Sequence, residues 1–200
     1  MAGIAKNYDS TRIMTGPADV YVDVNIPTTG NRLGIDNALG TPDTATSPNV
    51  KHLGLSEAGA TMSIKNEIQS FEADELTAPW KQQLSSEEAL ISGNFLQIED
   101  FTILGLITPG ATKSTGSGFE QILFGGLTSV VTKSVAVIAP SSQNAGKWAV
   151  FQLYKAFNRA GIELALSRKD FSKVPYEFIG LSETSRPQGD QVGMFWRQIP

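Results

Sequence analysis

Acidic side chains and a single histidine are the groups in this sequence that could perform acid–base chemistry. His52 lies beside a glycine-rich turn and has no acidic neighbour close to it in sequence. A Ser-His-Asp triad would have to run through this one imidazole, because the general base of such a triad is a histidine. The chain has no cysteine, which excludes disulfides, thiolate metal sites and cysteine nucleophiles. We therefore interpret His52 as a surface or packing residue.

Three acidic clusters are candidates for metal binding or for catalysis by paired carboxylates. They are Glu72, Asp74 and Glu75; Glu87 and Glu88; and Glu99 and Asp100. A calcium loop needs oxygen ligands at alternate positions, then a glycine and a distal glutamate, and none of the clusters has that spacing. Glycoside hydrolysis needs two carboxylates at a set separation, but nothing in the sequence selects a pair. The first cluster is typical of a solvated face, and the last is typical of a helix start.

Glycine-rich segments offer possible ligand sites of another kind. Residues 141–147 faintly resemble a phosphate loop, but the first glycine is missing and Trp148 stands where a magnesium-binding hydroxyl belongs. Gly116-Ser117-Gly118 and Gly125-Gly126 lack the third glycine of a dinucleotide site and are typical of turns. We expect no catalytic residue, no cofactor and no bound metal, and hence no enzyme.

Composition indicates a single domain over residues 1–200 with a sizeable core. Hydrophobic residues make up 40% of the chain and charged residues 18%, and the net charge is −4 with a pI near 5.0. This balance argues against nucleic-acid binding, which needs clustered Lys and Arg. No apolar run approaches the roughly eighteen residues of a membrane span, and the N-terminus lacks a signal-peptide core. We expect a soluble protein made in a cytosol.

The elements that must position these side chains are mostly strands, and residues 146–181 contain the strongest pattern. Residues 148–157 suit either a doubly buried strand or a helix, and we favour a strand followed by a hairpin loop at 158–161. Strict alternation over 162–166 and again over 174–178 predicts two more strands. Pro175 suggests an edge position or a strand start, because proline cannot donate to a ladder.

Further strands and one helix are predicted on either side. Val20, Val22 and Val24 alternate with polar residues, and residues 64–68 alternate until the phase flips by Phe71, which predicts a bulge. The next run opens at Trp80 and places Lys81, Gln83, Ser85 and Glu87 on one face. Strands are also expected at 119–124, 127–138 and 192–199, with loops at 111–118 and 182–190. Residues 99–108 are predicted to form a helix that has its acids in the first turn and is stopped by Pro109-Gly110. Residues 28–51 have no period and are expected to form a long loop.

Four segments together resemble the tail tube proteins, or major tail proteins, of long-tailed bacteriophages. They are LGLSEAGATMSI (53–64), EIQSFEADELTAPWK (67–81), ALISGNFLQIEDFTILGLI (89–107) and DFSKVPYEFIGLSE (170–183). The resemblance covers roughly residues 50–200. It implies a mainly β fold, a β-sandwich or partial barrel of two packed sheets with one short flanking helix. It also implies that six copies form a ring and that rings stack into a tube through which DNA passes on ejection.

The same resemblance implies partners, a location and a channel wall. The partners are further copies of the chain and other tail proteins such as the tape measure, terminator and baseplate. The chain would reside in the virion tail after assembly in the host cytoplasm, away from membranes and without specific DNA binding. A long loop at about 26–53 would contact neighbouring subunits. A neutral or acidic wall lets DNA slide. The candidate lumen-facing residues are Glu67, Gln69, Glu72, Asp74, Gln83, Ser85 and Glu87.

Three alternatives remain open from the sequence. The chain could form the inner tube of a contractile injection system, which has the same fold inside a sheath. It could instead be a carbohydrate-binding β-sandwich that uses Trp80, Trp148 and Trp196 as a sugar platform, although core packing is the commoner role of tryptophan. It could also be a hydrolase that uses two of its acids.

Overall fold

A computed structural model of the chain describes residues 18–28, 32–71, 81–96, 100–126, 129–141, 146–161, 163 and 173–199. The described part contains one large antiparallel sheet, two small two-stranded sheets and one helix. The mainly β class with a single short helix is therefore confirmed. The elements are β1 (Asp19–Val22), β2 (Ile35–Asp36), β3 (Thr41–Pro42), β4 (Lys51–His52), β5 (Ser56–Phe71), β6 (Lys81–Phe95), α1 (Phe101–Ile107), β7 (Thr112–Gly116), β8 (Phe119–Leu123), β9 (Lys133–Pro140), β10 (Trp148–Asn158), β11 (Val174–Gly180) and β12 (Gly193–Arg197).

The large sheet curls until its two ends nearly meet. Its strand order is β4-β1-β9-β10-β11-β6-β5, and β12 branches off β10. The terminal strands β4 and β5 are separated in sequence only by residues 53–55, and β1 lies close to β5. The Leu53 amide also donates to the Val20 carbonyl at 2.8 Å. One curled sheet therefore provides two facing layers, as in a sandwich or partial barrel.

The inner face of this curled sheet holds the larger hydrophobic core. The predicted alternation over 174–178 is confirmed, because Val174, Tyr176 and Phe178 are all buried on this face. Phe178 lies opposite Ile91 of β6. Helix α1 covers the core with Ile103, Leu104 and Ile107. Pro175 is the second residue of β11, at a point where only β6 pairs with that strand.

The outer face of β1, β9 and β10 carries a second apolar cluster. It is built on Tyr21, Ile138 and Val150 and is extended by Trp148 and Trp196. Strand β10 is thus buried on both faces, and the preference for a strand over a helix at 148–157 is confirmed. The strand expected around Val20 is confirmed as β1, and Tyr21 is buried as well as Val20 and Val22 because it packs in the outer cluster.

The segment 28–51, expected to be a structureless loop, contains the short hairpin β2–β3 and packs on its own chain. Leu33 is buried in the outer cluster. Gly40 has a φ of +69°, and a Cβ there would overlap the indole of Trp148. This close approach fastens the hairpin to β10, which is why the position needs glycine. Lack of sequence periodicity was a poor guide here, because turns and capping bonds hold the segment together.

Helix α1 begins at Phe101, and its acid has a different role from the one expected. Asp100 is the N-cap, and its carboxylate accepts from the amides of Thr102 and Ile103 at 3.0 and 3.2 Å. The prediction of acids within the first turn is therefore wrong for Asp100. The helix ends at the cap Thr108, next to the predicted stop at Pro109.

We expect Asp100→Ala to lower the free energy of unfolding by about 1 kcal/mol, because two helix amides lose their acceptor. Asp100→Asn keeps a capping oxygen and is the matched control. Urea unfolding followed by circular dichroism measures both variants. Equal stability of the alanine variant and the parent chain would contradict the capping role.

Two strand boundaries differ from the sequence prediction. Residues 111–118 were expected to form a loop, but β7 pairs with β8 in a hairpin. Serine and threonine on a solvated ribbon gave no apolar alternation to detect. The strand expected over 127–138 starts only at Lys133. The strands at 119–124 and 192–199 are confirmed as β8 and β12, and the loop at 182–190 is also confirmed. Trp80 and the alternation predicted over 162–166 lie outside the described residues, apart from Glu163.

Candidate functional site

A two-stranded ribbon extends beyond the curled sheet, and nearly all of its described residues are exposed. Strand β6 pairs with β11 only over residues 90–95. Residues 81–89 of β6 and 64–71 of β5 pair only with each other. We call these two stretches the hairpin arm. Both of its outer edges therefore carry backbone amides and carbonyls without a ladder partner among the described residues.

A bulge at Ser85 sets the two faces of the hairpin arm. Glu67 pairs with Ser86 whereas Ile68 pairs with Leu84, so Ser85 is the extra residue. Its hydroxyl donates to the Glu67 carbonyl at 2.9 Å. The prediction of a bulge in β5 near Phe71 is therefore wrong, because β5 pairs without an extra residue from Glu67 to Phe71 and the extra residue belongs to β6.

One face of the hairpin arm is mainly polar, and the other face, which we call the apolar face, carries three large aliphatic side chains among polar ones. Cross-strand pairs on the polar face join Lys65 to Glu88 and Gln69 to Gln83, and Glu67 accepts from the Ser86 hydroxyl at 3.0 Å. The apolar face continues the inner core outward. It presents Ile64, Ile68 and Leu84, which are 54%, 60% and 51% exposed. The described part of the chain therefore leaves at least half of each of these three side chains exposed.

The structure brings together only some of the seven candidate lumen residues. Glu67, Gln69 and Gln83 share the polar face of the hairpin arm. Glu87 pairs with Asn66 and lies on the apolar face, so the expectation that it shares a face with Gln83 is wrong. The bulge at Ser85 shifts the alternation and causes this difference. Glu72 and Asp74 lie outside the described residues, and the assignment of a lumen remains a prediction.

A groove of about 300 Å³ runs along the base of the apolar face. It is lined by Met62, Ser63, Ile64, Phe151 and Phe195, and so lies between β5 and β12. Phe195 is 55% exposed and contacts the ring of Phe151, with 6.4 Å between the ring centroids. The apolar face of the arm therefore extends without interruption to the edge of β12, and the combined surface is suited to apolar contact rather than to polar chemistry.

The tryptophans inside the described residues do not form an open platform. Trp148 covers Gly40 and donates from its indole nitrogen to the Asn37 carbonyl at 3.2 Å. Trp196 donates to the side-chain oxygen of Gln152 at 3.1 Å. Both belong to the outer cluster. Their packing fits the structural role rather than the sugar-binding one.

The single histidine has an acidic neighbour that is distant in sequence. His52 Nε2 lies 3.3 Å from the Asp19 carboxylate, and its ring is tilted against Tyr21 with centroids 5.0 Å apart. Strand pairing between β1 and β4 creates this contact, which sequence proximity alone could not reveal. Both side chains are exposed, and no group of three metal-ligating side chains occurs among the described residues.

A buried cation closes the loop between β11 and β12. Arg186 is 6% exposed, its guanidinium lies 3.6 Å from the ring centroid of Tyr154, and it forms an ion pair with Asp190. It also donates to the carbonyls of Ile26 and Pro27. These contacts tie the loop to the segment after β1. Sequence reasoning missed this cluster, because a lone arginine in a polar loop gives no signal of burial.

Burial raises the pKa of two tyrosines to about 12. For Tyr21 the nearby Asp19 charge adds to the effect of burial, and for Tyr154 the hydrogen bond to Asp190 adds to it. Burial also raises the pKa of Tyr176. At neutral pH these phenols are therefore protonated, and the Tyr154 hydroxyl donates to the Asp190 carboxylate.

The pKa values of Tyr21 and Tyr154 are higher in the folded chain than the value of about 10 in the unfolded chain. Their contribution to the free energy of unfolding is therefore fully present below about pH 10. This contribution is lost as the pH rises from about 10 to about 12. We expect absorbance at the phenolate wavelength to rise late in the folded protein and near pH 10 in urea. Tyr154→Phe should remove one of the late-titrating groups. Coincident titration curves in the two states would contradict the assignment.

No model of a known protein family matches this chain. No curated protein matches it either. No helix in the described residues is long and apolar enough to cross a bilayer. The function therefore has to be inferred from the geometry of the chain and from the resemblance carried by the four segments.

Proposed function

We propose that the chain is a structural protein of a phage tail tube, in which copies join into hexameric rings that stack around a channel for DNA. The observation that carries the proposal is the hairpin arm with both edges open. In a single copy, the outer backbone amides and carbonyls of such a ribbon have no ladder partner and can hydrogen-bond only to water. Joining the β5 edge of one copy to the β6 edge of the next would extend one sheet around a ring and remove both exposed edges.

The two faces of the hairpin arm suit the inside and outside of such a ring. The apolar face would pack against the neighbouring copy, since it exposes three aliphatic side chains that continue the core. The polar face would line the channel. Among its described residues the charges of Lys65 and Lys81 are balanced by Glu67 and Glu88. Such a wall would not hold phosphates, because tight DNA binding requires clustered cations that displace counterions.

Electron microscopy of the purified full chain tests the proposal. We expect rings or tubes about 100 Å across, an estimate from six domains of about 30 Å each around a channel. The unassembled form should be the minor species at high protein concentration. A chain that stays monomeric or dimeric at every concentration, also when mixed with preformed tube ends, would exclude the tube.

The inner tube of a contractile injection system remains the second candidate, because it would use the same arm and the same ring. It differs in needing an outer surface that binds a sheath. The carbohydrate-binding alternative loses two of its three tryptophans to the outer cluster, where Trp148 and Trp196 are already engaged. A glycan array on the monomer would show binding if that alternative were correct.

A further inference from the structure

The outer edge of β5 has a self-complementary sequence around Asn66. The residues read Ile64-Lys65-Asn66-Glu67-Ile68, so that an isoleucine and a charge of opposite sign lie on either side of the asparagine. Lys65, Asn66, Glu67 and Ile68 are all exposed. In the described part of the chain β5 pairs with β6 alone, and neither Lys65 nor Glu67 takes part in an ion pair there.

We infer that two copies of the chain join edge to edge through β5, antiparallel, about a two-fold axis at Asn66. This inference does not depend on the proposed tube. In this arrangement Lys65 of each copy lies opposite Glu67 of the other, and Ile64 lies opposite Ile68. Opposite charges and apolar residues placed directly across an antiparallel pair stabilise it. The occupant of the β5 edge is thus a second copy, selected by the chain's own charge pattern.

Only one register gives this match. The outward-pointing amides of an edge strand recur at every second residue, so two copies of the same edge can pair only where the two-fold axis passes through a residue. An axis at Lys65 would place that lysine opposite itself. An axis at Glu67 would do the same for the glutamate. Like charges directly opposite are destabilising, and only an axis at Asn66 places each Lys65 opposite a Glu67.

The charges of the two copies then form two equivalent rows, each of which runs across four strands. Within each copy Lys65 lies beside Glu88 of β6, and Glu67 accepts a hydrogen bond from Ser86. Across the axis each lysine gains a second carboxylate, and each glutamate gains its first cation. On the other face, Ile64 of each copy meets Ile68 of the other copy beside Leu84, which gives two apolar groups of three side chains. The facing Asn66 residues lie between these two groups, with Glu87 beside each of them.

An isologous contact of this type closes after two copies, whereas the head-to-tail contact of a ring continues. Both use the β5 edge, so the dimer and the ring exclude each other. A dimer would therefore be the form in which free subunits keep this edge covered before assembly. It would have to separate before a subunit could be added to a ring.

Charge-swapped variants of the full chain test the pairing through the measured mass in analytical ultracentrifugation. Lys65→Glu leaves four carboxylates at positions 65 and 67 of the two copies, and Glu67→Lys leaves four lysines there. We expect each single variant to dimerise at least 10-fold more weakly than the parent chain. The double variant Lys65→Glu with Glu67→Lys should dimerise more tightly than either single variant, because the new glutamate at position 65 of each copy then faces the new lysine at position 67 of the other. It should remain weaker than the parent chain, because the glutamate at position 65 then lies beside Glu88 of its own copy. An equal mixture of the two single variants should form mixed dimers, which native mass spectrometry identifies.

Cross-linking provides a second measurement that does not depend on charge. The chain has no cysteine, so Asn66→Cys introduces a single thiol that faces its own mate. Facing residues in an antiparallel pair have Cα atoms about 4.5–5.5 Å apart, which is within the range of about 4.4–6.8 Å for a disulfide. Ser70→Cys is the matched control. Its thiols would lie about 27 Å apart, eight residues along the strand.

Rapid disulfide formation by Asn66→Cys and not by Ser70→Cys supports the pairing, as does rescue by the double variant. A strictly monomeric parent chain overturns it, and so does a double variant that dimerises no better than the single ones. Circular dichroism must show that all variants remain folded. Dimers without rings would support the β5 pairing and contradict the tube. Rings without any dimer would support the tube and contradict the β5 pairing.

Discussion

Gln152→Leu is expected to lower the free energy of unfolding by about 2–5 kcal/mol, the largest effect of any single polar substitution considered for this chain. Gln152 is fully buried on β10. Its side-chain oxygen accepts from the Leu33 amide and from the Trp196 indole, both at 3.1 Å. One acceptor thus connects the segment before β2, the central strand and β12. Its loss leaves two donors in the outer cluster without this partner, at about 1–3 kcal/mol each.

Urea unfolding followed by tryptophan fluorescence measures this loss directly. Gln152→Met preserves the length of the side chain but not the acceptor, so it should be nearly as destabilising. Gln188→Leu, which makes the same chemical change in an exposed turn, should alter stability by less than about 0.5 kcal/mol. A loss below about 1 kcal/mol for Gln152→Leu would mean that the two donors find other partners.

Ile64→Ser combined with Ile68→Ser is expected to weaken self-association by about 30-fold. Both side chains are more than half exposed in the single copy. Complete burial of an isoleucine is worth about 1.5–3 kcal/mol. The part still exposed corresponds to about 1 kcal/mol for each residue, and an edge contact that covers about half of this part gives about 2 kcal/mol for the four isoleucines of a dimer. The free energy of unfolding of the isolated chain should fall by about 1 kcal/mol for each residue, because the covered part of each side chain packs on its own copy.

Sedimentation equilibrium at a series of concentrations measures this association. The control is Leu39→Ser combined with Leu55→Ser, two leucines that are 69% and 65% exposed but lie off the hairpin arm. The control pair should associate like the parent chain. Equal weakening by both pairs would show that general surface hydrophobicity drives association, and would remove the apolar face of the arm as the interface.

Strong period-two patterns made several strands predictable from the sequence. Val174, Tyr176 and Phe178 alternate with polar residues because one face of β11 meets the core, so the pattern mirrors burial directly. The doubly buried β10 was harder to assign, since apolar residues on both faces leave no period. The phase flip near Phe71 predicted a bulge in β5, but the extra residue is Ser85 of the partner strand. A single sequence could not show this, because it depends on how the two strands pair.

Other features depend on contacts between parts of the chain that are far apart in sequence. Gly40 fits beneath Trp148, and Arg186 meets Tyr154 and Asp190, only after the sheet has folded. The faces of the hairpin arm likewise required the bulge position, which is why Glu87 was assigned to the wrong side. The self-complementary pattern around Asn66 is visible in the sequence. It indicates pairing between copies only because β5 is a terminal strand of the sheet, with one edge free of a ladder partner among the described residues.

The short covalent link between β4 and β5 has a mechanical consequence. Residues 53–55 join the two ends of the curled sheet, and the four Cα–Cα steps from His52 to Ser56 can span at most about 14 Å. The sheet therefore cannot flatten or open along this seam while the chain is intact. Bending of any filament built from such subunits would have to be taken up by hinging between copies, with each subunit behaving as a stiff segment.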